Sequence, residues 1–109
     1  MPRLTAEFWV QAYLRRLNIA SIPAFVVHKG DLTAGTVLVK SNYLDGNAKL
    51  FQRVYDGDGQ RIWGLLEAGT EPEMDKIVAS QRRFDPDLWV IEVEDRAGRT
   101  LLDEEGLFG

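Results

Sequence analysis

Cysteine is absent from this chain, so disulfides and thiolate chemistry are excluded, zinc loses its best ligand, and a reducing compartment is expected. Histidine is almost as scarce. His28 is the single imidazole, so a His-based triad or acid–base pair would have to use it, and no serine stands in a nucleophile-elbow pattern beside it. An ordinary histidine at a strand end is the expectation. Phosphate-cradling Gly-rich loops, zinc spacings, repeats and low-complexity segments are also missing. No apolar run approaches the length of a membrane span, and Met1-Pro2-Arg3-Leu4-Thr5 leads straight into a charged amphipathic segment. A cytoplasmic protein without a membrane partner is expected. Positive charge is the minority, 13 Lys and Arg against 17 Asp and Glu, and the net −4 opposes non-specific binding to nucleic acid.

What the chain does have is apolar material: 45% of its 109 residues are hydrophobic, enough for one core. A single domain over 1–109 is expected, with the acidic, glycine-bearing 103–109 as a frayed tail. The organising stretch is Arg83-Phe84-Asp85-Pro86-Asp87-Leu88-Trp89-Val90-Ile91-Glu92-Val93-Glu94-Asp95. Pro86 fixes its own φ and keeps Asp85 out of the helical region, so a preceding helix stops near Phe84. From Leu88 the residues alternate, with Trp89, Ile91 and Val93 on one side and Leu88, Val90, Glu92 and Glu94 on the other. The first half is apolar on both faces, which predicts a central strand covered by helices.

Before it, Thr5 is a plausible N-cap for a helix to about Leu17. Trp9, Ala12, Tyr13 and Leu17 form its buried stripe, widened by Phe8 and Leu14. Strands are predicted over Ala24 to Lys29, Gly35 to Asn42, Ala48 to Tyr55 and Arg61 to Glu67, joined as antiparallel neighbours, with Asp45-Gly46 a hairpin signal. Asp56-Gly57-Asp58-Gly59 reads as a turn rather than a calcium loop, because Gln60 and Arg61 stand where that loop needs an acid or amide and a glycine. Trp63 is expected in the core. Thr70-Glu71-Pro72-Glu73 is a capping box opening a second helix to about Arg83. Arg99 to Leu102 is read as a short edge strand. The fold class is therefore mixed α/β: a largely antiparallel mixed sheet of about five strands with two helices, either a three-layer α/β/α sandwich or two layers with both helices on one face.

The run RFDPDLWVIEVED, together with the opening LTAEFWVQAYLRR, resembles the family of small bacterial proteins known as domain of unknown function 1491. The likeness covers most of the chain. It implies a single-domain cytoplasmic protein with a mixed α/β fold, and it brings no activity, cofactor or catalytic residue.

Two candidate sites follow from the residues. Asp85, Asp87, Glu92 and Glu94 are the strongest set of carboxylates, with Glu92 and Glu94 about 6.7 Å apart on one face. Magnesium or manganese takes such oxygen ligands, which makes a metal-dependent nuclease or phosphatase the alternative function. Asp87 and Glu94 lie roughly 23 Å apart along an extended strand, so the four cannot share one ion and no metal site or cofactor is predicted. The second candidate is a patch of Arg15, Arg16, Arg82 and Arg83, suited to carboxylate or phosphate if the two helix ends converge. A non-catalytic domain that binds a protein or a small anionic ligand is the expected function.

Overall fold

Local signals set the helix boundaries. In the computed structural model, which describes residues 5–104, Thr5 Oγ1 accepts the Phe8 N–H at 3.2 Å and opens helix α1, Ala6–Ile19. The Ala20 N–H returns to the Arg16 carbonyl at 3.1 Å, and Ser21 at a φ of 61° turns the chain away. Ala6, Trp9, Val10, Tyr13 and Leu17 are the buried stripe. Phe8 does not widen it: at 59% exposure it faces water, because five residues along a helix place it about 140° from Tyr13. Helix α2, Glu71–Phe84, starts on a complete capping box, the Glu73 N–H donating to Thr70 Oγ1 and the Thr70 N–H to Glu73 Oε1. Only Met74 and Val78 of α2 are buried, and it ends at Asp85 ahead of Pro86.

Five strands make one mixed sheet: β1 Ala24–His28, β2 Val37–Asn42, β3 Asn47–Tyr55, β4 Arg61–Thr70 and β5 Trp89–Glu94. Their order is β1-β5-β2-β3-β4. β2, β3 and β4 form the expected antiparallel meander, while β5 is antiparallel to β1 and parallel to β2, with Val37 opposite Trp89 and Asn42 opposite Glu94. The mixed α/β class with two helices and five strands is the one read from the sequence.

Two expectations about the strands are corrected. β1 and β2 are not neighbours, because β5 lies between them. Residues 29–36 are too long for a tight hairpin and wrap over the start of β5 instead. There the Asp31 N–H donates to the Asp87 carbonyl at 3.0 Å, the Trp89 N–H to the Thr36 carbonyl at 2.8 Å, and the Trp89 indole N–H to the Asp31 carbonyl at 2.7 Å. A strand apolar on both faces gains most where both its edges are paired, and Val90 and Ile91 are fully buried. The second correction concerns Arg99 to Leu102, which is not a strand. Leu101 adopts a φ of 60°, the Thr100 carbonyl accepts the Tyr13 hydroxyl at 2.8 Å, and Leu102 enters the core. Of the expected frayed tail, Glu104 pairs with Arg16, and 105–109 lie outside the described residues.

Trp89, Ile91 and Val93 share one buried cluster with Trp9, Val10, Tyr13 and Leu17 of α1. Leu88 and Val90 share another with Leu38, Ala48, Leu50 and with Met74 and Val78 of α2. Since neighbouring residues of a strand point to opposite sides, α1 and α2 pack against opposite faces of β5. On α1's side the cover thins toward the far edge of the sheet. Phe51 and Trp63 still pack against the cluster, but Leu65, opposite Phe51, is 56% exposed and Tyr55, opposite Arg61, is 65% exposed.

Candidate functional site

The four carboxylates singled out from the sequence occupy two places. Asp85 closes the turn after α2, its Oδ1 accepting the Asp87 N–H at 3.1 Å and its Oδ2 the Thr36 hydroxyl at 3.0 Å. Asp87 is exposed beside it. Glu92 lies well along β5 on α2's side, where it accepts from Asn42 Nδ2 at 3.2 Å and faces the Lys40 ammonium at 3.3 Å. Glu94 follows at the strand's end, its backbone N–H donating to the Pro23 carbonyl. Among the described residues, no group of three or more His, Asp or Glu stands ready for a metal ion.

Lys40, which the sequence reading passed over, explains why Glu71, Asp75 and Glu92 gather. The residue is buried, 4% exposed, and its ammonium reaches Glu71 at 2.9 Å and Asp75 at 2.8 Å as well as Glu92. Burial works to lower its pKa, but the bonds to Asp75 and Glu71, with the charge of Glu92, outweigh it and hold the pKa above its ordinary value. These carboxylates share a resident cation, and their work is to tie α2 to β2 and β5.

The four arginines do not share a patch. Arg15 and Arg16 end α1, which leads into β1 where Ala24 pairs with Val93 near the end of β5. Arg82 and Arg83 end α2, which leads to the start of β5. The two pairs therefore stand at opposite ends of the sheet and on opposite sides of β5. Arg16 is joined to Glu104 at 2.9 Å, while Arg82 and Arg83 are exposed at the negative end of their helix dipole. His28 Nδ1 lies 2.9 Å from the Leu88 carbonyl oxygen, a structural bond across β1 and β5.

A different constellation does converge, on the thinly covered side of β3 and β4. Arg53 and Trp63 are opposite one another in the β3–β4 ladder, so both point to α1's side, and the Arg53 guanidinium lies 4.9 Å from the Trp63 ring centroid. Trp63 in turn lies 5.3 Å from Trp9, and Trp9 stacks on Tyr13 at 4.9 Å. A row of rings thus runs from the core out to a guanidinium. Trp63, expected in the core, packs against it and keeps part of its surface in the groove. Arg61 adds a second guanidinium, and Arg99 a third from the turn after β5. Asp95 holds Arg99 through bonds of 2.9 and 3.1 Å, and those bonds push the Asp95 pKa below the ordinary carboxylate range. Gly98 permits that turn, with a φ of 74° and the Tyr43 ring directly against its Cα.

The groove has two chambers. One, about 290 Å³, is walled by Ala6, Trp9, Ala34, Gly35, Val37 and Trp63. The other, about 850 Å³, runs along residues 97–104 with Phe51 and Ile62. Arg53, Arg61 and Trp63 line both. The indole N–H groups of Trp9 and Trp63 are buried without a hydrogen-bond partner. The sequence shows Ala48 to Tyr55 and Arg61 to Glu67 as strands, which carry these side chains. Their approach to the start of α1 and to 97–104 depends on tertiary packing and left no local trace.

The family model described as a protein of unknown function (DUF1491) matches residues 4–103. The chain belongs to the DUF1491 family. A crystal structure of a DUF1491 protein from Caulobacter crescentus CB15 is 42% identical, with 93% of this chain and 96% of that chain covered and a TM-score of 0.84. An NMR structure of a DUF1491 protein from the same bacterium superposes with a TM-score of 0.81, at 42% identity over 95% of this chain and 96% of that chain. The solution structure of protein Atu0922 from A. tumefaciens is 32% identical, covers 93% of both chains and has a TM-score of 0.77. No curated protein matches the chain. The DUF1491 family thus supplies the fold and no function, and among the described residues no helix is long and apolar enough to cross a membrane.

Proposed function

We propose that this DUF1491 chain is a non-catalytic binding domain whose ligand is anionic and sits in the groove over β3 and β4. One observation carries this: in a protein of net charge −4, three arginines from three segments face a single groove, one of them laid over a half-buried indole. Guanidiniums present forked donors to carboxylate and phosphate. Asp103 and Glu104 also line the larger chamber, where Glu104 is engaged with Arg16 and Asp95 holds Arg99. The non-catalytic part rests on the groove's chemistry. Its described lining residues offer hydroxyls, guanidiniums and the carboxylates of Asp103 and Glu104, with no imidazole or amine base among them. A metal-dependent hydrolase lacks comparable support, because its carboxylates are divided between the turn at Asp85 and the Lys40 cage. We further place the domain in the cytoplasm, on the strength of a sequence free of cysteine.

The test is an amide NMR titration with pyrophosphate and with citrate. Shifts confined to residues around Arg53, Arg61, Trp63 and Arg99, and weakened by Arg61→Ala, are expected. Shifts centred on Arg82 and Arg83, or no shifts with either anion, would overturn the proposal.

A further inference from the structure

Resting on that binding site, we infer that the ligand carries a flat aromatic ring next to its anionic group. Beside Thr5, Thr33 and the arginines, the chamber next to α1 is walled by Ala6, Trp9, Ala34, Val37 and Trp63, so a little more than half of its wall is apolar, and its volume of about 290 Å³ is close to the small end of ligand pockets. A sugar or aliphatic anion would engage the arginines and leave that wall in contact with water. Because Arg53, Arg61 and Trp63 line both chambers, a ring lodged against Trp9 and Trp63 places an attached carboxylate or phosphate at the junction where the guanidiniums stand. The junction of the chambers repeats the requirement. Trp63, half-buried and backed by Trp9 at 5.3 Å, carries the Arg53 guanidinium 4.9 Å from its ring centroid, a planar cation that stacks on rings and pairs with anions. Aromatic surface and positive charge are presented side by side, and a ligand complementary to both has a ring and a negative charge side by side. The carboxylate and phosphate versions share this chemistry.

Calorimetric titration of the intact chain separates the possibilities. Indole-3-acetate is compared with acetate, and adenosine 5′-monophosphate with ribose 5-phosphate, alongside pyrophosphate. At least one ring-bearing probe is expected to bind tenfold or more tightly than its ringless partner, and the pair that shows the advantage identifies the anion. Ala34→Phe, at an exposed loop position facing the small chamber, is expected to erase that advantage, with its amide spectrum confirming that it folds. If ring-bearing and ringless probes bind alike, or if Ala34→Phe leaves the advantage intact, the ring inference is overturned while the anion site stands. If no anion binds, pyrophosphate included, the site and the ring fall together.

Discussion

Leu44, in the turn between β2 and β3, holds a φ of 60°, a conformation that costs a side chain with a Cβ about 1–2 kcal/mol. It is 42% exposed, so little packing is lost on replacement, and asparagine tolerates this region better. We expect Leu44→Asn to raise stability by about 0.5 kcal/mol, read as a higher urea midpoint. Gly30 is the opposite case. A Cβ there would run into the Asp87 carbonyl oxygen and come within 2.7 Å of the Leu88 carbonyl carbon, both rigid backbone at the head of β5. Gly30→Ala is expected to cost about 2 kcal/mol by overpacking, and an unchanged urea midpoint would refute the close approach. Tyr13 adds a pH dependence. Burial raises its pKa above the ordinary 10.0, so its neutral form is the one that folding favours. That share of stability is complete below about pH 10 and drains away as the pH climbs beyond it, when the unfolded chain ionises first. Lys40, raised above 10.5, acts in the same direction, with its share lost as the pH passes through the folded value. Thermal melts are expected to fall on the alkaline side, and Tyr13→Phe to make that fall shallower.

At the scale of elements, Lys40 decides how α2 is held. Its ammonium joins β2 to Glu71 and Asp75 of α2 and to Glu92 of β5, while Asn42 bridges Glu71 and Glu92 beside it. Replacing it with methionine removes the cation that three carboxylates share. Glu71 and Asp75 relax into water, but Glu92, whose side chain is 14% exposed, is left facing them. The loss is expected at the low end of that for broken buried pairs, about 3 kcal/mol, with part recovered in Lys40→Met/Glu92→Gln. Equal losses in the single and double variants would show that Glu92 is not part of the cage. The same scale shows what the sequence could and could not reveal. Both helices were legible because their caps are local: Thr5, Thr70 and Glu73 bond within four residues of themselves. β5 was legible because a two-sided apolar alternation has one physical use. Its place between β1 and β2 was not, since that pairing is decided by residues 29–36 wrapping the start of β5, and Trp89 donating to Asp31 spans 58 positions. Lys40 was overlooked for the same reason. A lysine among Val39 and Ser41 reads as an outward side chain until Glu71, Asp75 and Glu92 are known to meet it.

For the molecule as a whole, two helices set on opposite faces of a five-stranded sheet cannot cover both faces to both edges. α1 gathers its cluster around β5 and β2 and reaches only to Phe51 and Trp63, so the outer ends of β3 and β4 are bare on that side, and there Arg53, Arg61 and Trp63 make the groove. This division of cover carries an expectation about local stability, because amides open most readily where few apolar contacts hold the backbone. In β5 both strand edges are paired and Val90, Ile91 and Val93 have no exposure, so their amides are expected to exchange only through global unfolding. The end of the β3–β4 hairpin, from Tyr55 to Arg61, has an unpaired outer edge and half a face without cover, and its amides are expected to exchange by local opening, at rates that a groove ligand slows. Hydrogen–deuterium exchange of the free chain checks the gradient. Protection at Val54 and Ile62 equal to that at Ile91 would mean that the outer sheet is as firmly covered as its centre. The groove would then be part of the packed interior and closed to a ligand.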